Sequence, residues 1–128
     1  VTDSNYAPGT VVTGVYKTGK YIGEITDIKK DRYVVKVMAV LKHPKQGDLH
    51  SPKQTDVPLF HERRALGERE KTNVPASLVK PYEGTVPDYR SSLKEALEKE
   101  KAALQNDQSD WAKMALDRIN NLEEDYFS

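Results

Sequence analysis

The sequence predicts an α+β fold: a small antiparallel β-barrel followed by a C-terminal amphipathic helix pair. Three observations carry this. Residues 10–41 are rich in β-branched and aromatic residues with a two-residue apolar period. The run Asn73-Val74-Pro75-Ala76-Ser77-Leu78-Val79-Lys80-Pro81-Tyr82 ends that half with a Pro-x-Ser turn between apolar residues. From Pro87 onward the apolar period lengthens to that of a helix.

In the front half, Thr10 to Tyr16 reads as a first strand, and Thr18-Gly19-Lys20 as a hairpin turn whose glycine is free to take positive φ. Tyr21 to Ile28 alternates as a second strand, with Gly23 marking a bulge or strong coiling. The turn Lys29-Lys30-Asp31-Arg32 leads into the strongest strand, Tyr33 to Leu41. It is apolar on both faces, which predicts a strand covered twice. Residues 43–58 are broken by Pro44, Gly47, Pro52 and Pro58 and form a long loop, a kind that is uncommon unless it serves function. Leu59 to Leu66 is ambiguous between strand and short helix. A 3₁₀ turn after Pro75 that feeds a short last strand is the ending of an SH3-like barrel, so residues 8–84 read as a five-stranded SH3-like domain; the rival reading is an open antiparallel sheet.

Residues 87–128 form the helical extension. Leu93, Leu97 and Leu104 recur at helical spacing, Asp88 fits the N-cap, and Ser92-x-x-Glu95 matches a capping box one turn later. Asn106 to Ser109 ends this helix and can cap the next, where Trp111, Ala115, Ile119, Leu122 and Tyr126 form one apolar stripe. Such stripes must be buried on each other, on the barrel or on another chain. Residues 1–86 hold 14 Lys and Arg against 10 Asp and Glu, residues 87–128 hold 6 against 10, and the whole balances at zero. The opposite imbalances favour docking of the two parts, within one chain or between two.

Composition removes several chemistries. There is no Cys, so a disulfide framework and thiolate chemistry are excluded. The charge balance gives no reason to expect nucleic acid as the main ligand, and no apolar run reaches the roughly 20 residues of a membrane span. His43, His50 and His61 match no zinc spacing and read as turn and surface histidines. The serines lie in turns and helix starts, with no G-x-S-x-G elbow and no phosphate-binding glycine motif, so no enzyme, metal or cofactor is expected. Tyr16, Tyr21, Tyr33, Tyr82 and Tyr89 either line a peptide groove or fill the core, with Tyr16 and Tyr21 placed to pair across the first hairpin. The mixed-sign cluster around Arg63, Arg64 and Arg69 reads as a solvated, salt-bridged face.

Long stretches of the chain carry a resemblance. Tyr16-Lys17-Thr18-Gly19-Lys20-Tyr21-Ile22-Gly23-Glu24 begins it, and Leu41-Lys42-His43-Pro44-Lys45-Gln46-Gly47-Asp48-Leu49-His50 is its most specific motif. Phe60-His61-Glu62-Arg63, Val79-Lys80-Pro81-Tyr82, Val86-Pro87-Asp88-Tyr89 and Ser92-Leu93-Lys94-Glu95-Ala96 continue it. Over residues 8–122 the sequence closely resembles the kinase-associated protein B family of spore-forming Bacillus-type bacteria. The resemblance implies a barrel-like domain with a helical extension. It also implies a non-enzymatic accessory role, in which a membrane sensor histidine kinase feeds phosphate into the sporulation phosphorelay.

The family has been described as lipoprotein, whereas this chain has neither Cys nor a lipobox. The expectation is therefore a cytoplasmic protein that reaches the membrane through the kinase, without direct insertion. The candidate contacts are His43, Pro44, Gln46, Gly47, Asp48, His50, Phe60, His61 and Arg63 on the loop, with Trp111 on the helix stripe, which also offers a homodimer surface. The alternative is an SH3-like peptide- or nucleic-acid-binding module with only an indirect kinase link.

Overall fold

The computed structural model describes residues 6–47 and 62–127. Five strands come first: β1 (Val11–Tyr16), β2 (Gly19–Ile28), β3 (Arg32–Lys42), β4 (Lys71–Pro75) and β5 (Val79–Pro81), with a 3₁₀ turn at Ala76–Leu78 before the last. Helices α1 (Tyr89–Gln105) and α2 (Asp110–Tyr126) follow. The sheet is antiparallel throughout in the order β4-β3-β2-β1-β5. It curls until β1 meets β4 face to face: a Cβ on Gly14 would lie 3.4 Å from the Val74 side chain. The two edge strands do not pair among the described residues, so the sheet is barrel-like but open.

Register slips produce the curl. Thr26 on β2 and Met38 and Leu41 on β3 have no residue opposite them, and each such bulge bends its strand and sharpens the twist. Gly23 lies beside one bulge, where a Cβ would come within 2.5 Å of the Lys36 carbonyl. Burial alternates regularly from Tyr33 to Ala39, and the slip at Leu41 then leaves Val40 buried and Leu41 37% exposed. The first hairpin differs from expectation. Its turn is Lys17-Thr18, with Lys17 at φ 55°, and Gly19 opens β2 opposite Tyr16. Gly19 is needed for clearance, because a Cβ there would fall within 3 Å of the Tyr21 ring. Tyr16 therefore faces Gly19 and does not pair with Tyr21, whose partner is Gly14.

The helix ends follow the capping residues. The Asp88 carboxylate accepts from the Ser91 N–H, and the Ser109 hydroxyl from the Ala112 N–H. Ser92 forms no capping box. It is buried, and its hydroxyl accepts from the Val40 N–H at 3.0 Å and donates to the Tyr89 carbonyl at 2.8 Å. One side chain thus satisfies a strand amide that lies beyond the reach of β4.

Two cores result. Val12, Ile25, Tyr33, Val35, Val74 and Val79 fill the curl of the sheet. Tyr21, Val37 and Val40 join Leu93, Leu97, Trp111, Ala115 and Ile119 in a second core between sheet and helices. The stripes of both helices are thus buried on the chain's own sheet and on each other. Each large apolar side chain buried there contributes roughly 1.5–3 kcal/mol before entropy is counted. The opposite charge of the two halves is used across this join: Lys45 pairs with Glu100 at 3.5 Å, and Arg64 pairs with Asp125.

Candidate functional site

The densest polar chemistry lies where β3 leaves the sheet and the chain returns at Glu62. Residues 43–47 and 62–67 run beside each other here with no regular secondary structure. Buried backbone groups still need partners, and side chains supply them. Gln46 takes the place of a strand neighbour: its Oε1 accepts from the Arg63 N–H at 2.8 Å, and its Nε2 donates to the Arg63 carbonyl at 2.9 Å and to the Pro44 carbonyl at 3.1 Å. Arg63 returns a bond from Nε to the Gly47 carbonyl at 3.0 Å. Gly47 holds φ +100°, which favours glycine.

Tyrosines hold the returning segment. The Tyr126 hydroxyl accepts from the Ala65 N–H at 2.9 Å and the Tyr21 hydroxyl from the Leu66 N–H at 3.2 Å, while Tyr89 donates to the Leu66 carbonyl at 2.6 Å. The Trp111 indole N–H donates to the Gln46 carbonyl at 3.2 Å. Groups from β2, α1 and both ends of α2 therefore close one neck.

His43 is fixed at both nitrogens. Nδ1 faces the Pro44 carbonyl at 3.0 Å, an acceptor only, so the proton resides there. Nε2 then accepts from the Tyr126 hydroxyl at 3.0 Å. Burial lowers the His43 pKa from 6.5 to about 4, against a smaller upward pull from the Pro44 carbonyl. Burial likewise raises Tyr21 and Tyr89 to about 12 and raises Tyr126. These are proton-holding groups fixed in one state near neutral pH, an arrangement suited to structure and not to acid–base exchange. Among the described residues no group of three or more His, Asp or Glu converges as metal ligands.

The sequence-selected residues fall into three sets. His43, Pro44, Gln46, Gly47 and Trp111 come together in the neck, and all are buried. Trp111 is 4% exposed, so a partner would reach its ring only by opening the neck. Arg63 is half-buried, with its backbone bonded to Gln46. Asp48, His50, Phe60 and His61 lie outside the described residues. The tyrosine clasp of Tyr21, Tyr89 and Tyr126 is a feature that sequence reasoning missed. Its signal was present, since a tyrosine buried by its apolar neighbours still needs a partner for its hydroxyl.

With this geometry in place, comparison with known proteins is informative. The family model described as "Kinase associated protein B" matches residues 16–127. The chain is 55% identical over 125 residues to "Kinase-associated lipoprotein B" of Bacillus subtilis (strain 168), covering 98% of each chain. It is also similar to the crystal structure of kinase-associated protein B from Bacillus cereus, with a TM-score of 0.82 and 47% identity over 95% of this chain and 98% of that one. The protein thus belongs to the kinase-associated protein B family.

Proposed function

We propose that this chain is a non-enzymatic accessory protein that associates with a membrane sensor histidine kinase of the sporulation pathway and supports its signalling into the phosphorelay. The observation that carries this is the match to a relative named for kinase association, which spans nearly all of both chains. The site chemistry is compatible with it: the polar groups around residues 43–47 and 62–66 are committed to holding backbone in place. A neck built in this way holds Gly47 and Arg63, on either side of the segment 48–61, in fixed positions, and a contact surface whose flanks are held costs less to order on binding.

On this reading the loop residues Asp48, His50, Phe60 and His61 make the contacts, and Arg63 borders them. His43, Pro44, Gln46, Gly47 and Trp111 act by positioning. Membrane association runs through the kinase. No described helix is long and apolar enough to cross a membrane. A homodimer through the C-terminal helices would use their outer faces, because the stripe residues pack within the chain.

The test is a titration of the full chain against the kinase's cytoplasmic part, with kinase autophosphorylation followed in parallel. Saturable binding with a change in autophosphorylation is expected. Replacing residues 48–61 by a Gly/Ser linker with the neck retained should abolish it. Absence of binding by the intact chain overturns the reading, and undiminished binding by the linker variant removes the loop from the contact.

A further inference from the structure

The start of α1 and the end of α2 bound a cleft of about 390 Å³. It is lined by Arg90, Ser91 and Lys94 of α1, by Glu123 of α2 and by Phe127 just beyond it. Its charges are poorly matched. Arg90 and Lys94 lie one turn apart on α1, where like charges repel and weaken a helix. Arg90 also sits in the first turn, where the helix dipole disfavours a cation and where α1 has no acidic residue. Among the described residues neither has a carboxylate within ion-pair distance. Carboxylates are not scarce in this part of the chain, since residues 87–128 hold 10 Asp and Glu against 6 Lys and Arg. Among the described lining residues Glu123 alone is acidic, and it is already paired with Lys101 at 2.7 Å.

The cleft is also held in shape. The Arg90 guanidinium lies over the Phe127 ring, 4.8 Å from its centroid. A guanidinium stacked on a ring keeps its N–H edge available for a forked contact with an oxyanion. Tyr126 meets the Phe127 ring edge to face at 6.2 Å. The Asp88 carboxylate is taken up by the helix cap, where it accepts from the Ser91 N–H and hydroxyl, and it does not line the cleft. A second cleft, of about 370 Å³, gives the contrast. It is lined by Lys36 and Arg69 together with Glu24 and Glu68, so its charges are matched.

We propose that the cleft between the start of α1 and the end of α2 binds a small phosphate monoester, with the phosphoryl group on Arg90 and Lys94 and an apolar body against Phe127. With Glu123 neutralised by Lys101, the cleft presents the two positive charges of Arg90 and Lys94. A phosphate monoester carries about −1.5 to −2 near neutral pH and matches both, whereas a carboxylate matches one. The Arg fork and the Lys point charge both recognise phosphoryl oxygens. The volume lies at the low end of the roughly 300–1,000 Å³ of small-molecule sites, which suits one compact ligand and not a length of peptide. Such an occupant relieves the repulsion within α1, so the paired cations cost stability in the free chain and regain it on binding. The inference does not rest on the kinase reading, and its test contains no kinase.

The experiment titrates the isotope-labelled full chain with phenyl phosphate and follows its backbone amide and arginine Nε–H resonances by NMR. Saturable shifts are expected at residues 90–94 and 123–127, with binding weaker as salt is raised. Benzoate, with a single charge on the same ring, should bind about fivefold more weakly, and benzyl alcohol should not bind. Arg90→Gln and Lys94→Gln should each lose about fivefold in affinity, the upper scale of an exposed ion pair. Arg90→Lys keeps the charge without the fork and should restore only part of the loss. Glu123→Gln should tighten binding, a gain that a purely structural role does not give. Lys113→Gln removes an exposed lysine at the opposite end of α2 and should leave affinity unchanged. Absence of saturable shifts, or equal losses in Lys113→Gln and Lys94→Gln, would overturn the proposal. So would benzoate or inorganic phosphate binding as tightly as phenyl phosphate. Tighter binding of a phosphotyrosine peptide than of phenyl phosphate would overturn the small-molecule assignment.

Discussion

The β2–β3 hairpin and the neck at residues 43–47 and 62–67 both bury backbone, and they satisfy it in different ways. In the hairpin, strand pairs with strand, so most side chains can change without breaking a ladder bond. Among the described residues of the neck no ladder exists, and the backbone groups of Arg63, Ala65 and Leu66 depend on named side chains: Gln46, Tyr126, Tyr21 and Tyr89. A single substitution there strands a buried polar group, which costs about 1–3 kcal/mol. Irregular backbone held by side chains is therefore more fragile per residue than regular backbone holding itself.

The largest test of this contrast is Trp111→Ala. The ring is packed in the core shared by sheet and helices, and its N–H holds the neck through the Gln46 carbonyl. A loss of roughly 3–5 kcal/mol is expected in denaturant unfolding of the monomer. A change below about 1 kcal/mol would show that the helices do not depend on this packing.

Acid should act on the neck next. His43 has a folded pKa of about 4 against an ordinary 6.5, so between these values the unfolded chain binds a proton that the folded chain does not. Its contribution is complete above pH 6.5 and is lost as pH falls through 6.5 towards 4, roughly 3 kcal/mol in all. Unfolding free energies of the parent and His43→Gln, measured at pH 7 and pH 4.5, should converge at the lower pH. Parallel pH dependences would place the acid sensitivity elsewhere. Gln46→Leu follows, at about 2 kcal/mol, because it orphans both backbone groups of Arg63. Amide hydrogen exchange should show the loss first at residues 62–66, with the β2–β3 hairpin still protected.

The same contrast explains what could be read from the sequence. The helix stripes, the caps Asp88 and Ser109, and the 3₁₀ turn before β5 are local patterns, and each is present in the fold. Distant pairings were not legible. Ser92 meets the Val40 amide 52 residues away and Tyr126 meets Ala65 across 61, and no period or spacing encodes such a meeting. Bulges were legible only where a glycine marked one: Gly23 signalled the slip beside it, whereas a strand that slips register by one residue at Leu41 reads on paper like one that does not. The candidate residues of residues 43–47 were legible as a dense motif, but the motif alone does not separate a positioning role from a contact role. Burial separates them: Gln46 is 4% exposed and His43 1%.

The finest version of the comparison removes one hydroxyl from each region. Tyr126→Phe leaves the ring, and with it the packing against His43 and the stacked Arg64, in place. It takes away the acceptor of the Ala65 N–H and the donor to His43 Nε2, so two buried groups lose a partner at once. About 1–2 kcal/mol should be lost. Thr26→Val deletes the sheet's counterpart, a hydroxyl that donates to the Val34 carbonyl at a long 3.4 Å. The replacement keeps the β-branched shape that suits a strand, and Thr26 lies unopposed at a bulge, so no cross-strand partner is disturbed. A change within about 0.5 kcal/mol is expected. The measurement is the difference between the two variants in one denaturant series at fixed pH. If Thr26→Val costs as much as Tyr126→Phe, side-chain hydroxyls matter equally in both regions, and the neck has no special dependence on its clasp.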